Sequence, residues 1–270
     1  MKPFLKWAGG KTRLLPELLK YVPGKYNRYI DPFVGGGALF FALQPNRAII
    51  ADANEHLIET YQAVRDDVCS VIEILDIIKP IDSKDFYYFH REMEFPPIFI
   101  YKNKACFNGL YRVNKQGRFN VPYGNYKNIQ LYDATNLQNV SNYLKEFNEN
   151  HCVAIAHLDY TETLRMADKL HKPGDFVYCD PPYHGGFTEY TAQGFSERDH
   201  ADLARICAGL AGKGCHILAS NSNTDYIKQL WGQYGCFDIH EVEAPRSISC
   251  KGNGRVKVKE LIITNVRKNR

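Results

Sequence analysis

The sequence lacks the cysteine and histidine patterns of a metal site or a disulfide framework. Its eight cysteines include no C-x-x-C pair, and its nine histidines never cluster at the spacing of metal ligands. Scattered cysteines of this kind are typical of reduced thiols in a cytoplasmic protein. We therefore expect no metal ion and a cytoplasmic location.

Long hydrophobic runs, repeats and low-complexity segments are also missing. The opening "MKPFLKWAGGK" has an apolar core that is too short for a signal peptide, and no run reaches membrane-spanning length. With 270 residues, 44% of them hydrophobic and 24% charged, the composition is ordinary for a globular protein with a full core. We expect no membrane partner and a monomer in solution.

One apparent nucleotide motif is incomplete. The stretch "KWAGGKT" (6–12) resembles a triphosphate-binding loop, but Leu5 stands where that motif requires its first glycine. No strand precedes the stretch either, which excludes this type of loop. Trp7 and Lys11 remain available to line a cofactor pocket, although core packing would equally explain the tryptophan.

Acidic residues are absent between Glu94 and Asp133, where nine aromatic and six basic residues occur. The basic residues are Lys102, Lys104, Arg112, Lys115, Arg118 and Lys127. They could form a solvated basic face over a local core or a surface that meets phosphates. The segment from Arg246 to Arg270 adds eight basic residues against the single acid Glu260. Although the net charge of +4 is mild, two basic regions favour a polyanionic partner.

Strand and helix patterns alternate over most of the chain. Short apolar strands are predicted at 28–34, 47–52, 151–159, 176–180 and 215–221, and a hairpin at 247–264 with its turn at Gly252–Gly254. This alternation predicts an α/β fold with a doubly wound, mostly parallel sheet and a C-terminal β-hairpin.

The middle of the chain interrupts this alternation. From 56 to 145 the pattern is mainly helical, with a Gly-rich aromatic loop at 107–126. We expect a catalytic domain formed by 1–55 and 146–270, and an inserted domain formed by 56–145.

A glycine motif, "DPFVGGG", follows the first predicted strand. Gly35 to Gly37 permit a tight turn and the close approach of a ligand to the backbone, although such turns also occur without a ligand. Asp52 ends the second strand 15 residues beyond Gly37, where similar folds bind the two ribose hydroxyls of an adenosine. Together these residues favour a nucleoside cofactor.

The stretch "DFVYCDPPYHGG" (175–186) runs from a buried strand into an acid, two prolines and an aromatic. Asp180 is thereby left at the carboxyl edge of the sheet, where open α/β sheets bind ligands. Its carboxylate and the Pro181 carbonyl could accept the two hydrogens of an exocyclic amino group, while Tyr183 stacks on the base. The alternative is a turn that is capped by the acid and stiffened by the prolines, and the glycine motif and Asp52 argue against it.

With these motifs the chain resembles the Dam family of DNA adenine-N6 methyltransferases. The resemblance runs nearly end to end, through "FLKWAGGK", "DPFVGGG", "IIADANEHLI", "FNGLYRVNKQGRFNVPYGNYK", "DFVYCDPPY" and "SISCKGNGRVKVKEL". Their order is that of the family's α group. The resemblance implies a Rossmann-like class I methyltransferase fold, an inserted target-recognition domain, S-adenosyl-L-methionine as cofactor with S-adenosyl-L-homocysteine as product, and double-stranded DNA containing GATC as substrate.

The resemblance also implies roles for individual residues. The active site would comprise Asp180, Pro181, Pro182 and Tyr183. The cofactor pocket would be lined by Trp7, Lys11, Phe33, Gly35, Gly37, Asp52 and Asp180. DNA would be contacted by Lys6, Phe107, Asn108, Leu110, Arg112, Arg118, Pro122, Tyr126 and Lys127. Phe107 stands where relatives often carry the tyrosine that wedges into the duplex, a role that needs a flat apolar ring. The residues after Tyr183, "HGGF", look shorter than in some relatives.

Three readings stay open at this point. The first is an adenine-N6 DNA methyltransferase that acts on a base flipped into the DPPY motif. The second is a methyltransferase on another planar nitrogen, such as cytosine N4 or a protein glutamine, although the glutamine class resembles this one with Asn in place of Asp180. The third is a catalytically silent DNA-binding protein, against which the intact Asp180, Pro181 and Tyr183 argue.

Overall fold

The chain forms a seven-stranded sheet with helices on both faces. The structure is a computed structural model, and it describes residues 1–170, 172–186, 194–245 and 257–267. The strands are β1 (Tyr29–Asp31), β2 (Arg47–Asp52), β3 (Cys152–His157), β4 (Phe176–Cys179), β5 (His216–Ser222), β6 (Asp238–Pro245) and β7 (Lys257–Thr264). Their order across the sheet is β3-β2-β1-β4-β5-β7-β6.

The first five strands are parallel, whereas β7 is antiparallel to β5 and β6 is antiparallel to β7. The chain order reverses between β1 and β4, and open α/β sheets bind ligands at such a switch point. The predicted fold class, a mostly parallel Rossmann-like methyltransferase sheet with an antiparallel strand pair at its end, is confirmed.

The helices are α1 (Leu15–Leu18), α2 (Ala38–Leu43), α3 (Glu55–Asp66), α4 (Val68–Ile78), α5 (Lys84–His90), α6 (Pro96–Ala105), α7 (Ala134–Lys145), α8 (Tyr160–Lys169), α9 (Glu197–Gly212) and α10 (Asp225–Gly232). Short 3-10 turns occupy Lys11–Arg13, Leu19–Tyr21, Lys79–Ile81 and Phe107–Gly109. Several α-helices begin with a side-chain cap, as at Asn54, Ser83 and Ser196. Such caps satisfy amide donors that the first helical turn leaves unpaired.

Two apolar cores cover the two faces of the sheet, because successive strand residues point to opposite sides. In β4, Phe176 and Tyr178 belong to one core, and Val177 and Cys179 to the other. The first core also contains residues of α2, α3, α4, α6 and α7, and the second contains residues of α8, α9 and α10.

The region between β2 and β3 is mainly helical, as the sequence predicts, but its helices do not enclose a core of their own. Helices α3 and α7 pack on each other and on β3, so this region shares the first core with the sheet. The reason is that α3 and α7 provide the helical layer that β2 and β3 need on that face. The domain boundaries at 55/56 and 145/146 stay a prediction.

One strand prediction needs correction, and one strand was not predicted. The first strand ends at Asp31 rather than at 34, because Pro32 has no amide proton and the chain turns there, with the Phe33 amide bonded to Asp31 Oδ1 at 3.1 Å. Strand β6 at Asp238–Pro245, which pairs with β7, is not among the predicted strands, and the hairpin strand expected from Ser247 lies outside the described residues. The predicted turn at Gly252–Gly254 lies outside the described residues.

Candidate active site and the 107–126 loop

Five polar residues from five neighbouring strands lie on one face of the sheet, at or just beyond its carboxyl edge. In each strand the residue two positions away belongs to the first core: Ile50, Tyr29, Tyr178, Leu218 and Ile262. The period of two therefore directs the polar residues to the same side. In sheet order they are Asp52, Asp31, Asp180, Ser220 and Glu260.

Asp180 follows β4 directly, and its carboxylate is held in place. Its Oδ1 accepts a hydrogen bond of 2.8 Å from Ser220 Oγ and pairs with Lys11 Nζ at 2.9 Å. Lys11 Nζ also donates to the Gly9 carbonyl at 2.5 Å. Lys11 comes from the N-terminal segment, so a residue far away in sequence supplies the countercharge of the carboxylate. A carboxylate fixed in this way is an oriented hydrogen-bond acceptor.

The Tyr183 side chain has one partner at its hydroxyl and another over the face of its ring. Its hydroxyl donates to Glu260 Oε2 at 2.8 Å, and Lys11 Nζ lies over the ring, 4.5 Å from the centroid. Burial, together with the charges of Asp180 and Glu260, raises the pKa of Tyr183 well above its usual value. The phenol therefore stays protonated and keeps donating to Glu260.

Asp52 lies beside the glycine turn and is hydrogen-bonded to it. Gly35 and Gly37 have φ angles of 48° and 70°, which disfavour side chains, and a Cβ at Gly35 would lie 2.7 Å from Trp7 Cδ1. The Gly35 amide donates to Asp52 Oδ2 at 3.0 Å, and the Asn54 amide donates to Oδ1 at 2.9 Å. Since a carboxylate has about four lone-pair sites, Asp52 keeps acceptor capacity for a ligand. Burial raises its pKa to about 6.

Asp31 lies at the end of β1, and the charges of both Asp180 and Asp52 act on it. It is 2% exposed and accepts a hydrogen bond of 2.8 Å from Tyr29. Burial, together with the charges of the two neighbouring carboxylates, raises its pKa to about 8, although hydrogen bonds oppose the shift. The sequence analysis did not select Asp31, yet it precedes Pro32 at the end of an apolar strand, as Asp180 precedes Pro181.

Aromatic rings line the glycine turn on two sides. Trp7 stacks on Tyr111 at a centroid distance of 5.0 Å, and Phe33 stacks on Tyr160 at 5.6 Å. Phe195 meets Phe33 edge to face at 5.8 Å. Flat apolar walls next to a carboxylate are suited to a planar heterocycle that carries a polar sugar.

Phe107 lies exposed at a turn of the 107–126 loop, and the backbone of this turn is strained. Phe107 is 48% exposed, Asn108 has a φ of 57°, and a Cβ at Gly109 would lie 2.2 Å from Lys6 Cδ. The Tyr126 hydroxyl accepts from the Asn108 amide at 2.9 Å and donates to the Cys106 carbonyl at 3.1 Å. Such strain persists only where the surroundings hold it, and it often occurs at functional positions.

Three further residues that are expected to contact DNA, Lys6, Leu110 and Pro122, lie around this turn. Lys6 Nζ lies over the Tyr126 ring, 5.3 Å from its centroid, and the Pro122 carbonyl accepts from the Phe107 amide at 2.8 Å. Leu110 is half-buried at the cavity wall. These residues are thus brought together although Lys6 is about a hundred positions away in sequence.

The basic residues of the loop that are expected to contact DNA differ in their exposure and in their partners. Arg112 is half-buried, and its Nε donates to Asn120 Oδ1 at 2.7 Å, which orients the guanidinium. Lys127 is exposed, and Arg118 is exposed with Glu92 at 3.8 Å. Arg112 thus lines the cavity, whereas Arg118 and Lys127 lie outside it, and contact of these three residues with DNA stays a prediction.

Two lysines, Lys102 and Lys104, do not belong to an exposed basic surface. Lys102 is 1% exposed and donates to Glu94 Oε2 at 2.6 Å, so the idea that it faces phosphates is wrong. Helix α6 is packed on most of its sides, which turns this residue inward and requires a countercharge. Lys104 lies at the cavity wall, where burial and the charge of Lys6 lower its pKa to about 8.

One cavity of about 1590 Å³ connects these features. Its lining includes the predicted catalytic and cofactor residues and, of those expected to contact DNA, Lys6, Asn108, Leu110 and Arg112. Phe107, Arg118, Pro122, Tyr126 and Lys127 are not part of the lining. The cavity is large enough to hold a nucleoside cofactor and a nucleobase together.

The comparison with protein families identifies the chain's class. The model of D12 class N6 adenine-specific DNA methyltransferases matches residues 7–248. The chain belongs to this family of DNA adenine methyltransferases. The predicted family and the predicted enzyme class are thereby confirmed, and adenine N6 is favoured over cytosine N4, a protein glutamine or a silent DNA-binding role. Membership also implies chemistry that depends on S-adenosylmethionine and a DNA substrate.

Curated relatives match almost the whole chain. It is 40% identical to the Type II methyltransferase M.MjaIII of Methanocaldococcus jannaschii, over 98% of this chain and 99% of that protein. It is 38% identical to the Type II methyltransferase M1.LlaDCHI of Lactococcus lactis subsp. cremoris, over 98% and 95%. It is 36% identical to the DNA adenine methylase of Haemophilus influenzae, over 97% and 92%.

Ser220 and Glu260 are further polar residues of the site that sequence reasoning missed. Ser220 lies inside a buried strand pattern and carries no motif. Glu260 had one signal, since it is the single acid among the eight basic residues of the C-terminal segment. Its partner Tyr183 is 77 positions away.

Within the described residues, no helix is long and apolar enough to cross a membrane. The same part of the chain holds no group of three or more His, Cys, Asp or Glu placed to bind a metal. The seven cysteines among these residues are free.

Proposed function

We propose that this enzyme methylates N6 of an adenine that leaves the duplex and enters the cavity at Asp180 to Tyr183, and that its recognition sequence is GATC. The observation that carries the proposal is the juxtaposition in one cavity of an oriented carboxylate, an adjacent aromatic ring and the glycine turn with Asp52.

The cofactor end of the cavity fits a nucleoside. Asp52 has acceptor capacity left for ribose hydroxyls, and Phe33, stacked on Tyr160, offers an apolar wall for a heterocycle. Trp7 packs on the glycine turn and so supports its conformation. S-adenosylmethionine, when bound here, would supply an electrophilic methyl group on its sulfonium, and breaking of the sulfur–methyl bond would leave S-adenosylhomocysteine.

The catalytic end orients the amino group of the target base. Asp180 accepts one amino hydrogen, the Pro181 carbonyl accepts the other, and the ring of Tyr183 holds the base plane by stacking. The nitrogen lone pair then points at its electrophile without a prior deprotonation. The proton leaves afterwards to water or to Asp180. The residues thus act by positioning and electrostatics, with no covalent intermediate on the protein.

Recognition of GATC is proposed for the 107–126 loop and Lys6. Phe107 would wedge into the duplex, Arg112 would pair with the O6 and N7 acceptors of a guanine, and Lys6 would reach a second base. Arg118 and Lys127 would meet phosphates, which add affinity for any sequence. The support is the exposure of the wedge and the grouping of Lys6, Asn108, Pro122 and Tyr126 around it.

The decisive experiment is expression in a host that lacks adenine methylation, followed by sequencing that detects N6-methyladenine. We expect nearly complete modification of GATC and little elsewhere. Modification of a different adenine-containing sequence would refute the GATC assignment but keep the chemistry, whereas unmodified DNA would refute both.

Whether this enzyme protects DNA from a partner endonuclease is a second question. Two of the relatives are named Type II methyltransferases, which supports such a role. An endonuclease gene next to this one, cutting the same sequence, would establish it.

A further inference from the structure

Glu260 occupies an unusual place in the sheet. It lies on β7, which runs antiparallel to its neighbours, and it pairs in register with Ser222 of β5. Because β7 runs in reverse, its beginning lies at the carboxyl edge of the parallel strands, next to the catalytic motif. An acid from the last quarter of the chain is thereby delivered to the active-site cavity, which it lines.

The contact that Glu260 makes there is specific. Its Oε2 accepts the hydroxyl proton of Tyr183 at 2.8 Å, and the Lys11 charge also acts on the carboxylate. The direction of the long axis of the Tyr183 ring is set by this bond at the hydroxyl end and by its attachment to the backbone, rigid after Pro181 and Pro182, at the other. Without the bond the ring could swing about its χ1 angle and leave this position.

Resting on the proposed function, we propose that Glu260 is a positioning residue for methyl transfer, which holds the Tyr183 ring in the position where the target base stacks on it. It touches neither the base nor the cofactor in this role. The loss of Glu260 should therefore lower the rate of methyl transfer and leave the binding of DNA and of S-adenosylmethionine nearly unchanged.

The test compares Glu260→Ala with Glu260→Gln, since glutamine keeps an acceptor for the phenol and removes the charge. The substrate is genomic DNA from a host that lacks adenine methylation, with enzyme in excess, and N6-methyladenine is measured over time by mass spectrometry. We expect Glu260→Ala to lower the single-turnover rate constant about tenfold, as for the loss of one hydrogen bond to a charged group. Glu260→Gln should stay within about threefold of the wild type.

A double-mutant cycle with Tyr183→Phe tests whether Glu260 acts through the tyrosine. In that background Glu260→Ala should cause little further loss, because the bond is already missing. The matched control is Glu241→Ala on β6, an exposed glutamate paired with Lys228 and Lys259, which should leave the rate unchanged. Thermal unfolding and cofactor titration of each variant check that the fold is intact.

The outcomes separate the two proposals. Wild-type rates in Glu260→Ala, equal losses in the alanine and glutamine variants, or losses that multiply with Tyr183→Phe would overturn the role of Glu260 and leave the proposed function standing. Failure of the wild-type enzyme to methylate adenine would overturn the proposed function itself. If the alanine variant does not fold, a Glu260→Gln rate about tenfold below the wild type would also refute the role of Glu260, and a rate within about threefold would support it.

Discussion

The catalytic end of the cavity and the 107–126 loop differ in how far their side chains are held in place by protein partners. At the catalytic end, Asp180 and Tyr183 already have protein partners in Ser220, Lys11 and Glu260. In the 107–126 loop, Phe107 and Tyr126 are 48% and 37% exposed, and Lys127 is exposed as well. Chemistry requires groups that are oriented before the substrate arrives, whereas recognition requires surfaces that a duplex can cover. Substitutions at the catalytic end and in the loop should therefore impair different properties, the rate of methyl transfer in the first case and the recognition of DNA in the second.

The largest effect is expected at the catalytic end. Asp180→Ala removes the acceptor for the amino group and should lower adenine methylation by about a thousandfold or more. DNA binding should change little, because the side chain does not meet phosphates. Methylation rate and DNA affinity are measured side by side, with Asp202→Ala, a half-buried acid paired with Arg205, as control. Wild-type turnover in Asp180→Ala would exclude the proposed mechanism.

A substitution of Asp52 should affect only the binding of the cofactor. Asp52→Ala removes a charged acceptor from the proposed ribose site and should weaken S-adenosylmethionine binding by about 1–3 kcal/mol. Isothermal calorimetry on the DNA-free enzyme measures this directly. An unchanged affinity would remove Asp52 from the cofactor site.

The same residue predicts a pH dependence. Burial raises the pKa of Asp52 to about 6, so the carboxylate is charged above that value and protonated below it. A protonated carboxyl is a poorer acceptor for ribose hydroxyls, so cofactor affinity should be constant at higher pH and fall as pH falls through about 6. Asp52→Asn should flatten this profile. A wild-type fall that persists unchanged in the asparagine variant would assign it to another group.

Arg112 should govern specificity more than affinity. Arg112→Ala should cost about 1–3 kcal/mol of discrimination at one guanine–cytosine pair of GATC, with a nearly unchanged salt dependence. Methylation rates on GATC and on single-substitution duplexes measure the discrimination. A decrease of all rates in equal proportion would show that Arg112 does not read a base.

A substitution of Lys127 should have the smallest effect, and it should change affinity rather than specificity. Lys127→Ala should weaken binding to all sequences alike and reduce the slope of log affinity against log salt by about one unit. Binding over a salt series, with and without a GATC site, measures the slope. An unchanged slope would place Lys127 outside the phosphate contacts.

Much of the architecture could be predicted because local patterns carry it. The alternation of strands and helices, the glycine turn before α2 and the acids at the ends of β2 and β4 all follow from short stretches of sequence. Charge counting was less successful in the helical region. Lys102 has the same chemistry as Lys127, but only the packing of α6 shows that one is buried against Glu94 and the other exposed.

The sequence by itself determined the family and the side of the sheet on which Asp52 and Asp180 lie, because strand side chains alternate with a period of two and the motifs are local. The tertiary structure decided their partners. Lys11 reaches Asp180 from the N-terminal segment, and Glu260 reaches Tyr183 because β7 enters the sheet in reverse between β5 and β6. These contacts join residues that are 169 and 77 positions apart. No local pattern specifies such pairs, since they depend on strand order and direction, which the packing of the whole chain selects.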